Sequence, residues 1–449
     1  MQREDQLTME TKLEQISAKA RCEPKLRFTS LAHHISRDRV WRNLSQIPKW
    51  SAAGVDGQTV EAAKKSFDGW IEPMLQSIHR QGYRAPDIRR VYIPKPGKTE
   101  KRPLGVPTVA DRALQRSTAE VLSAIYEQDF LPCSFGGRPG LGAHRALATL
   151  NEAIAGGMIG WVLEADLKNF FGSLDHDWVL RLVEHRVGDP RVISLIRRWL
   201  KAGVLEDGVV TVGEIGTGQG SVISPLLANI YMHYVFDLWA NRWRQHEAQG
   251  DMVIVRYADD FVVGFEHEAD ARRFWDALRA RLEEFALSLH PDKTRLIEFG
   301  RHATDRRARA GLGKPETFKF LGFVFICGKT RRGKFLVHRR SRRDRMRTRL
   351  TEIKKELRKR MHQPIPEQGR WLAQVVRGYF AYHAVPTNGL RISAFRYHVV
   401  KYWLRTLRRR SQKDRFTWER IKRLANDWIP QPRTLHPWPS ARFAVKYSR

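Results

Sequence analysis

The stretch MVIVRYADDFVVGF (residues 252–265) sets two adjacent aspartates between two short apolar runs. Each run is rich in β-branched and aromatic residues and is bounded by turn-forming residues, the signature of a buried strand. Two such strands around a tight Asp-Asp turn make an antiparallel hairpin. Turns of this kind favour Asn-Gly or Asp-Gly, and adjacent like charges repel. A cation is therefore expected beside Asp259 and Asp260. A third carboxylate, Asp166, closes another apolar strand, GMIGWVLEADL (157–167). A lone aspartate at a strand end is commonly a turn or cap residue. A pair between two core strands is not readily read that way. Oxygen ligands without accompanying His or Cys suit Mg²⁺. Carboxylates on neighbouring strands can hold two metals about 4 Å apart, an arrangement that activates a 3′-hydroxyl and stabilises a leaving pyrophosphate. The implied chemistry is nucleotidyl transfer.

The rest of the chain predicts an α+β fold. IRRVYIPKPGKTEKRPLGVPTV (88–109) reads as a basic hairpin, and DRALQRSTAEVLSAIYEQDF (111–130) as an amphipathic helix with an aspartate at its start. GTGQGSVISPLLANIYMHYVFDLWANRW reads as a Gly-rich loop opening into a long helix, and TRLIEFG and FKFLGFVFI as strands. From about Ser341 the pattern becomes purely helical, with a Pro-containing gap at HQPIPEQG (362–369). Three widely spaced cysteines (Cys22, Cys133, Cys327) exclude a disulfide scaffold and a zinc-stapled module, so a reducing cytoplasm is expected. No apolar run reaches 18 residues and the first residues are polar, so neither a membrane span nor a signal peptide is expected.

Charge separates the chain into two parts. Of a net charge of +32 over 449 residues, residues 331–449 hold 33 Lys+Arg against 7 Asp+Glu, a net of +26. A charge of this size on a foldable chain predicts a polyanionic partner, nucleic acid ahead of a membrane surface. In residues 341–360, Met346, Leu350, Ile353 and Leu357 form one apolar stripe of a helix whose remaining surface is almost all basic. Such a face can be merely solvated. The scarcity of balancing acids favours phosphate contact.

Eight blocks, in order, carry a resemblance: WSAAGVDGQTVE, YIPKPGKTEKRPLGVPTVADRALQ, FGGRPGLGAHRAL, EADLKNFFGSLDH, GTGQGSVISPLLANIYMH, RYADDFVVGF, LSLHPDKTRLIEFG and FKFLGFVF. Together they resemble the group II intron-encoded proteins, the reverse transcriptase and maturase of mobile group II introns, of the type that lacks an endonuclease. The resemblance implies a right-hand polymerase with fingers and an antiparallel-sheet palm, followed by an all-helical basic thumb or maturase domain. The expected divisions are 1–115 (N-terminal extension and fingers), 116–340 (palm with remaining fingers), 341–430 (thumb) and 431–449 (a short DNA-binding tail). It implies an RNA-directed DNA polymerase that binds its intron RNA, assists splicing, and copies the intron by target-primed reverse transcription. The implied partners are intron RNA, a template–primer duplex, target DNA and dNTP, with no membrane. The implied location is the cytoplasm of a bacterial-type cell, on the nucleoid when DNA is bound.

The resemblance also implies roles for single residues. Asp166, Asp259 and Asp260 match the metal-binding catalytic triad, with the Leu167 carbonyl a further ligand. Phe171 matches the aromatic gate against a ribose 2′-hydroxyl, although core packing beside Phe170 would also account for it. Gln219 matches a residue that contacts the incoming nucleotide, in a loop that lacks the Pro many relatives carry. Lys95 and Arg102 match finger residues that clamp the triphosphate; a solvated hairpin is the alternative for Lys95. FLGF (320–323) resembles the hairpin gripping the primer terminus, or is an ordinary buried hairpin. Three other readings stay open: a free-standing reverse transcriptase in defence or repair, a splicing factor with a vestigial polymerase site, and a viral RNA-dependent RNA polymerase. An aromatic Phe171 disfavours the last.

Overall fold

The structure, a computed structural model, describes residues 3–94, 101–206, 209–211, 213, 216, 220–410 and 416–444. Its N-terminal third is helical: α1 (Arg3–Cys22), α2 (Arg37–Ser45), α3 (Val60–Lys65) and α4 (Phe67–His79) precede a hairpin and the long α5 (Val109–Asp129). Hydroxyls start three of these helices. Ser36, Thr59 and Thr108 accept hydrogen bonds from the N–H groups of Arg39, Ala62 and Asp111, which satisfies donors that a helix start leaves unpaired. Thr108 is thus the cap of α5, and Asp111 is spent differently. It is buried, and it accepts from the Tyr83 hydroxyl, the Trp199 indole and the Gln115 amide. The α5 helix runs unbroken through residue 115, the expected boundary between fingers and palm, and one apolar cluster extends from Ile16 to Leu287.

The hairpin pairs β1 (Ile88–Pro94) with β2 (Lys101–Val106), from Arg89 opposite Val106 to Pro94 opposite Lys101. Helices α6 (Ala143–Gly156), α7 (Phe170–Ser173), α8 (His176–Glu184) and α9 (Pro190–Leu200) flank β3 (Trp161–Ala165). Two strands that the sequence does not reveal follow, β4 (Val204–Glu206) and β5 (Val209–Thr211). Three residues are too few to show alternation. β4 runs parallel to β1, with Ile88 opposite Val204, so the hairpin is tied to the chain beyond α9.

The long helix comes in three pieces: α10 (Ser224–Met232), a π-helical turn (His233–Asp237) and α11 (Leu238–His246). It packs behind the central sheet, which contains β6 (Met252–Tyr257), β7 (Asp260–Phe265), β3 and β8 (Arg295–Glu298). Their order is β6-β7-β3-β8, antiparallel throughout. α12 (Glu268–Glu283) joins β7 toward β8, and α13 (Ala303–Arg309) leads to a second antiparallel sheet of β9 (Phe318–Phe320), β10 (Phe323–Lys329) and β11 (Phe335–Ser341).

Beyond Ser341 the described residues form helices only: α14 (Arg343–Lys359), α15 (Ile365–His383), α16 (Gly389–Arg408), α17 (Trp418–Trp428) and α18 (Pro439–Ala444). The expected gap at 362–369 is shorter than it reads, because α15 already begins at Ile365. Pro366 sits in its first turn, where a missing N–H costs nothing. Leu350, Ile353 and Leu357 are buried as the stripe predicts, and Met346 is half-buried against them. They pack with Leu372, Val376, Phe395, Val399 and Trp403 in a core of their own. Each such side chain contributes about 1.5–3 kcal/mol through burial. Fully buried Trp403 donates its indole N–H to Gln368 at 2.8 Å, and the Gln368 amide donates to the Arg360 carbonyl at 2.6 Å, which closes the end of α14.

Candidate active site

The register of the central sheet brings the carboxylates together. Ala165, the last residue of β3, pairs with Phe261 of β7. Asp166 therefore leaves β3 beside Asp260, the first residue of β7. Tyr257 pairs with Asp260, so the two-residue turn is Ala258–Asp259, one position earlier than the Asp-Asp turn expected from sequence. Ala258 has φ of +57°, a left-handed conformation that two-residue hairpins demand and that a residue with a Cβ adopts at a cost. A cavity of about 1030 Å³ opens here, lined by all three aspartates together with Arg102, Lys293 and Arg345.

Burial raises the Asp260 carboxyl to about 6, and the charges of Asp259 and Asp166 push the same way. Burial raises Asp259 as well, and Asp166 adds to it, while Arg102 and Arg256 oppose. Asp166 forms an ion pair with the Lys293 ammonium. Among the described residues no three His, Cys, Asp or Glu side chains are drawn tightly enough around one point to cage a metal ion. Instead the carboxylates line the cavity, and a lysine pairs with one of them. Donor chemistry nevertheless fits a hard divalent cation: oxygen ligands only, with mutual repulsion that a cation would relieve. Leu167 turns its side chain into the core, and the Asp166 carbonyl before it accepts from His290 N–H at 2.8 Å.

Other expected residues fall in three places. Arg102, exposed on β2, reaches the same cavity. Phe171 is half-buried, edge-on to buried Phe170 with ring centres 5.3 Å apart, and does not line the aspartate cavity. Its neighbours Asn169 and Gly172 line a second cavity with Gly105 and Gly216. Lys95 and Gln219 lie outside the described residues. Gly220, just after Gln219, has φ of +116°, and a Cβ there would lie 2.1 Å from the Gly105 carbonyl oxygen. Only glycine lets the chain at residue 220 lie against β2.

Residues 320–323 do form a hairpin turn. Leu321 and Gly322 both have positive φ, and Phe320, Leu321 and Gly322 line the aspartate cavity. Sequence reasoning assigned no role to Lys293 or Arg345, and singled out Tyr382 only as one of several aromatics of the basic region that are core or stack on bases. Lys293 lies within the block LSLHPDKTRLIEFG, where a lysine next to an aspartate carries no distinctive pattern. Arg345 is hidden among the many cations of α14, although its charge lowers Asp260 against burial and the neighbouring carboxylates.

An antiparallel sheet that presents paired aspartates to a cation-rimmed cleft is the architecture of a metal-dependent nucleotidyltransferase. Residues 93–325 match the family described as reverse transcriptase (RNA-dependent DNA polymerase), and the chain belongs to that family. Among curated relatives, the group II intron-encoded protein LtrA of Lactococcus lactis subsp. cremoris is 33% identical over 210 residues, covering 46% of this chain and 34% of that protein. Protein YkfC of Escherichia coli (strain K12) is 29% identical over 337 residues, covering 65% of this chain and 87% of the relative. Nuclear intron maturase 3, mitochondrial, of Arabidopsis thaliana is 24% identical over 134 residues, covering 30% and 18%. The match spans about a third of the length of LtrA. Among the described residues no helix is long and apolar enough to cross a membrane.

Proposed function

We propose that this chain is an RNA-directed DNA polymerase that binds its group II intron RNA, assists splicing, and copies the intron into DNA by target-primed reverse transcription during retrohoming. The observation that carries the reading is the β3–β7 register, which sets Asp166 beside Asp259 and Asp260 in one cation-rimmed cavity. Residues 1–115 serve as N-terminal extension and fingers and 116–340 as palm with the remaining fingers, joined through α5. Residues 341–430 serve as the thumb and maturase region, and 431–449 as the DNA-binding tail.

Asp166, the Leu167 carbonyl, Asp259 and Asp260 would hold divalent cations, Mg²⁺ by the hardness of the donors. Bound there, such ions offset charge that develops as a primer 3′-hydroxyl displaces pyrophosphate from the dNTP α-phosphate. The chain's own groups do the rest. Arg102 offers a planar fork to the triphosphate, with Lys95 and Gln219 as further nucleotide contacts. Phe171 sets the sugar-side wall and excludes a ribose 2′-hydroxyl. The Arg-rich surface of α14 to α16 tracks phosphates, which needs no base reading.

Primer extension on an RNA template, with dNTPs against rNTPs, tests the polymerase. Template-length DNA from dNTPs alone is the expected product, and its absence would overturn the reading. Accelerated self-splicing of the flanking intron RNA in the presence of protein tests the maturase part.

A further inference from the structure

Arg256, three residues before Asp259, is fully buried. Its guanidinium has five N–H donors, and five hydrogen bonds engage them. Nε and Nη2 grip the two oxygens of buried Asp237 at 2.7 and 2.5 Å. Nη2 also donates to Ser134 Oγ at 2.7 Å, and Nη1 to Asn229 Oδ1 at 3.0 Å. The fifth bond goes from Nη1 to the carbonyl of Ala258, at 3.0 Å. That carbonyl belongs to the strained left-handed residue immediately before Asp259.

Every partner is itself fixed. Asp237 closes the π-helical turn (His233–Asp237), and inserting a residue into a helix in this way redirects the side chains that follow. The Asn229 amide donates to the Gly136 carbonyl at 2.7 Å. Gly136 lies so close that a Cβ there would sit 2.4 Å from the Ala258 nitrogen. Backbone bonds hold Arg256 to the same segment: its N–H donates to the Cys133 carbonyl, and its carbonyl accepts from Phe135 N–H. Residues 133–136, which run into the block FGGRPG whose role the resemblance left unassigned, therefore form a floor under the aspartate turn.

A buried ion pair is a poor source of stability, because desolvation offsets much of its attraction. Fold stability alone would be served as well by apolar side chains, which could not restrain a carbonyl. Left-handed residues with a Cβ persist where surrounding contacts over-determine them. We propose that Arg256, held by Asp237, Asn229 and Ser134, is a positioning residue for Asp259: by fixing the Ala258 carbonyl it sets the turn that presents the Asp259 carboxylate to the cleft. This rests on the metal-dependent polymerase reading.

Arg256→Lys keeps the charge against Asp237 but cannot span the remaining acceptors. Ser134→Ala removes a single acceptor with little change of shape. Thermal unfolding and template–primer binding identify folded protein. Mn²⁺ binding, followed by the electron paramagnetic resonance of the free ion, reads the site without turnover. Arg256→Lys should weaken Mn²⁺ binding and lower kcat by about 10–100-fold, the usual consequence of losing a group that orients a ligand, with KM for dNTP nearly unchanged. Ser134→Ala should move both in the same direction by about fivefold, one hydrogen bond's worth. Folded Arg256→Lys protein with Mn²⁺ affinity and kcat at wild-type values would overturn the proposal. If that variant does not fold, Ser134→Ala at wild-type values overturns it instead. Wild-type protein that binds Mn²⁺ yet makes no cDNA would defeat the polymerase reading and leave the Mn²⁺ comparison to decide this one.

Discussion

The Tyr382 hydroxyl donates a 2.8 Å hydrogen bond to the carbonyl of Leu321. Tyr382 belongs to α15, in the basic helical region, and Leu321 to the β9–β10 turn that lines the aspartate cavity. One bond thus links the region expected to hold the duplex with the turn expected to meet the primer end. Tyr382→Phe removes about 1 kcal/mol of net interaction. KM for template–primer should rise about fivefold, with the melting temperature nearly unchanged. Steady-state extension with primer as the varied substrate checks this; an unaltered KM would detach the bond from primer handling.

Asp259→Ala and Asp260→Asn should each remove several kcal/mol of transition-state stabilisation, about a thousandfold or more in rate. Template–primer binding should survive, since the basic helices are untouched. Gel shifts alongside extension assays separate the two effects, and full-length cDNA from either variant would refute the assignment.

Phe171→Ala should relax sugar selection. A steric wall that excludes one hydroxyl is worth about 10–100-fold, so incorporation of rNTPs relative to dNTPs should rise by that factor. Because Phe171 packs on Phe170 and outside the aspartate cavity, unchanged selectivity would place it in the core and move the gate elsewhere.

Lys354 and Arg358 on α14 face Arg405 and Arg408 on α16 across a cavity of about 320 Å³. Replacing both α14 cations with Gln should flatten the salt dependence of RNA affinity by about one logarithmic slope unit for each phosphate that is no longer neutralised. Filter binding across a salt series measures it. A constant slope would leave this face solvated.

Burial lowers His233 and His383 from 6.5 to about 4; nearby arginine charge adds to it, and the Asp237 charge opposes it at His233. Both are neutral in the folded protein and protonate more readily once unfolded. Their contribution to stability is therefore complete above about 6.5 and is lost progressively as pH falls toward 4. Urea midpoints at pH 7.5, 6 and 5 should decline in that order, and His383→Gln should make the decline shallower.

Much of this architecture is legible in the sequence because its signals are local. The apolar flanks of Asp259 and Asp260 announce β6 and β7, and the spacing of Leu350, Ile353 and Leu357 announces α14. What is not legible depends on partners far along the chain. β4 and β5 are too short for any periodicity. Lys293 and Tyr382 gain meaning only when β8 and α15 arrive beside the cleft. The turn falls on Ala258–Asp259 because cross-strand register, including Tyr257 opposite Asp260, outweighs the preference for Asn-Gly pairs. Asp111 looks like an exposed helix start, yet Tyr83 and Trp199, both distant in sequence, make its burial tolerable.

The helices after Ser341 bury Leu350, Leu372, Phe395 and Trp403 against one another and not against the central sheet. Mutational history can therefore act on that helical core separately from the sheet, apart from the seam where Tyr382 and Val385 pack with Phe323, Val255 and Val262. Arginines on the outer surface of α14 to α16 can be gained, dropped or moved without passing strain to the β3–β7 register. On the proposed function, a lineage can change which RNA it holds while Asp166, Asp259 and Asp260 stay in place.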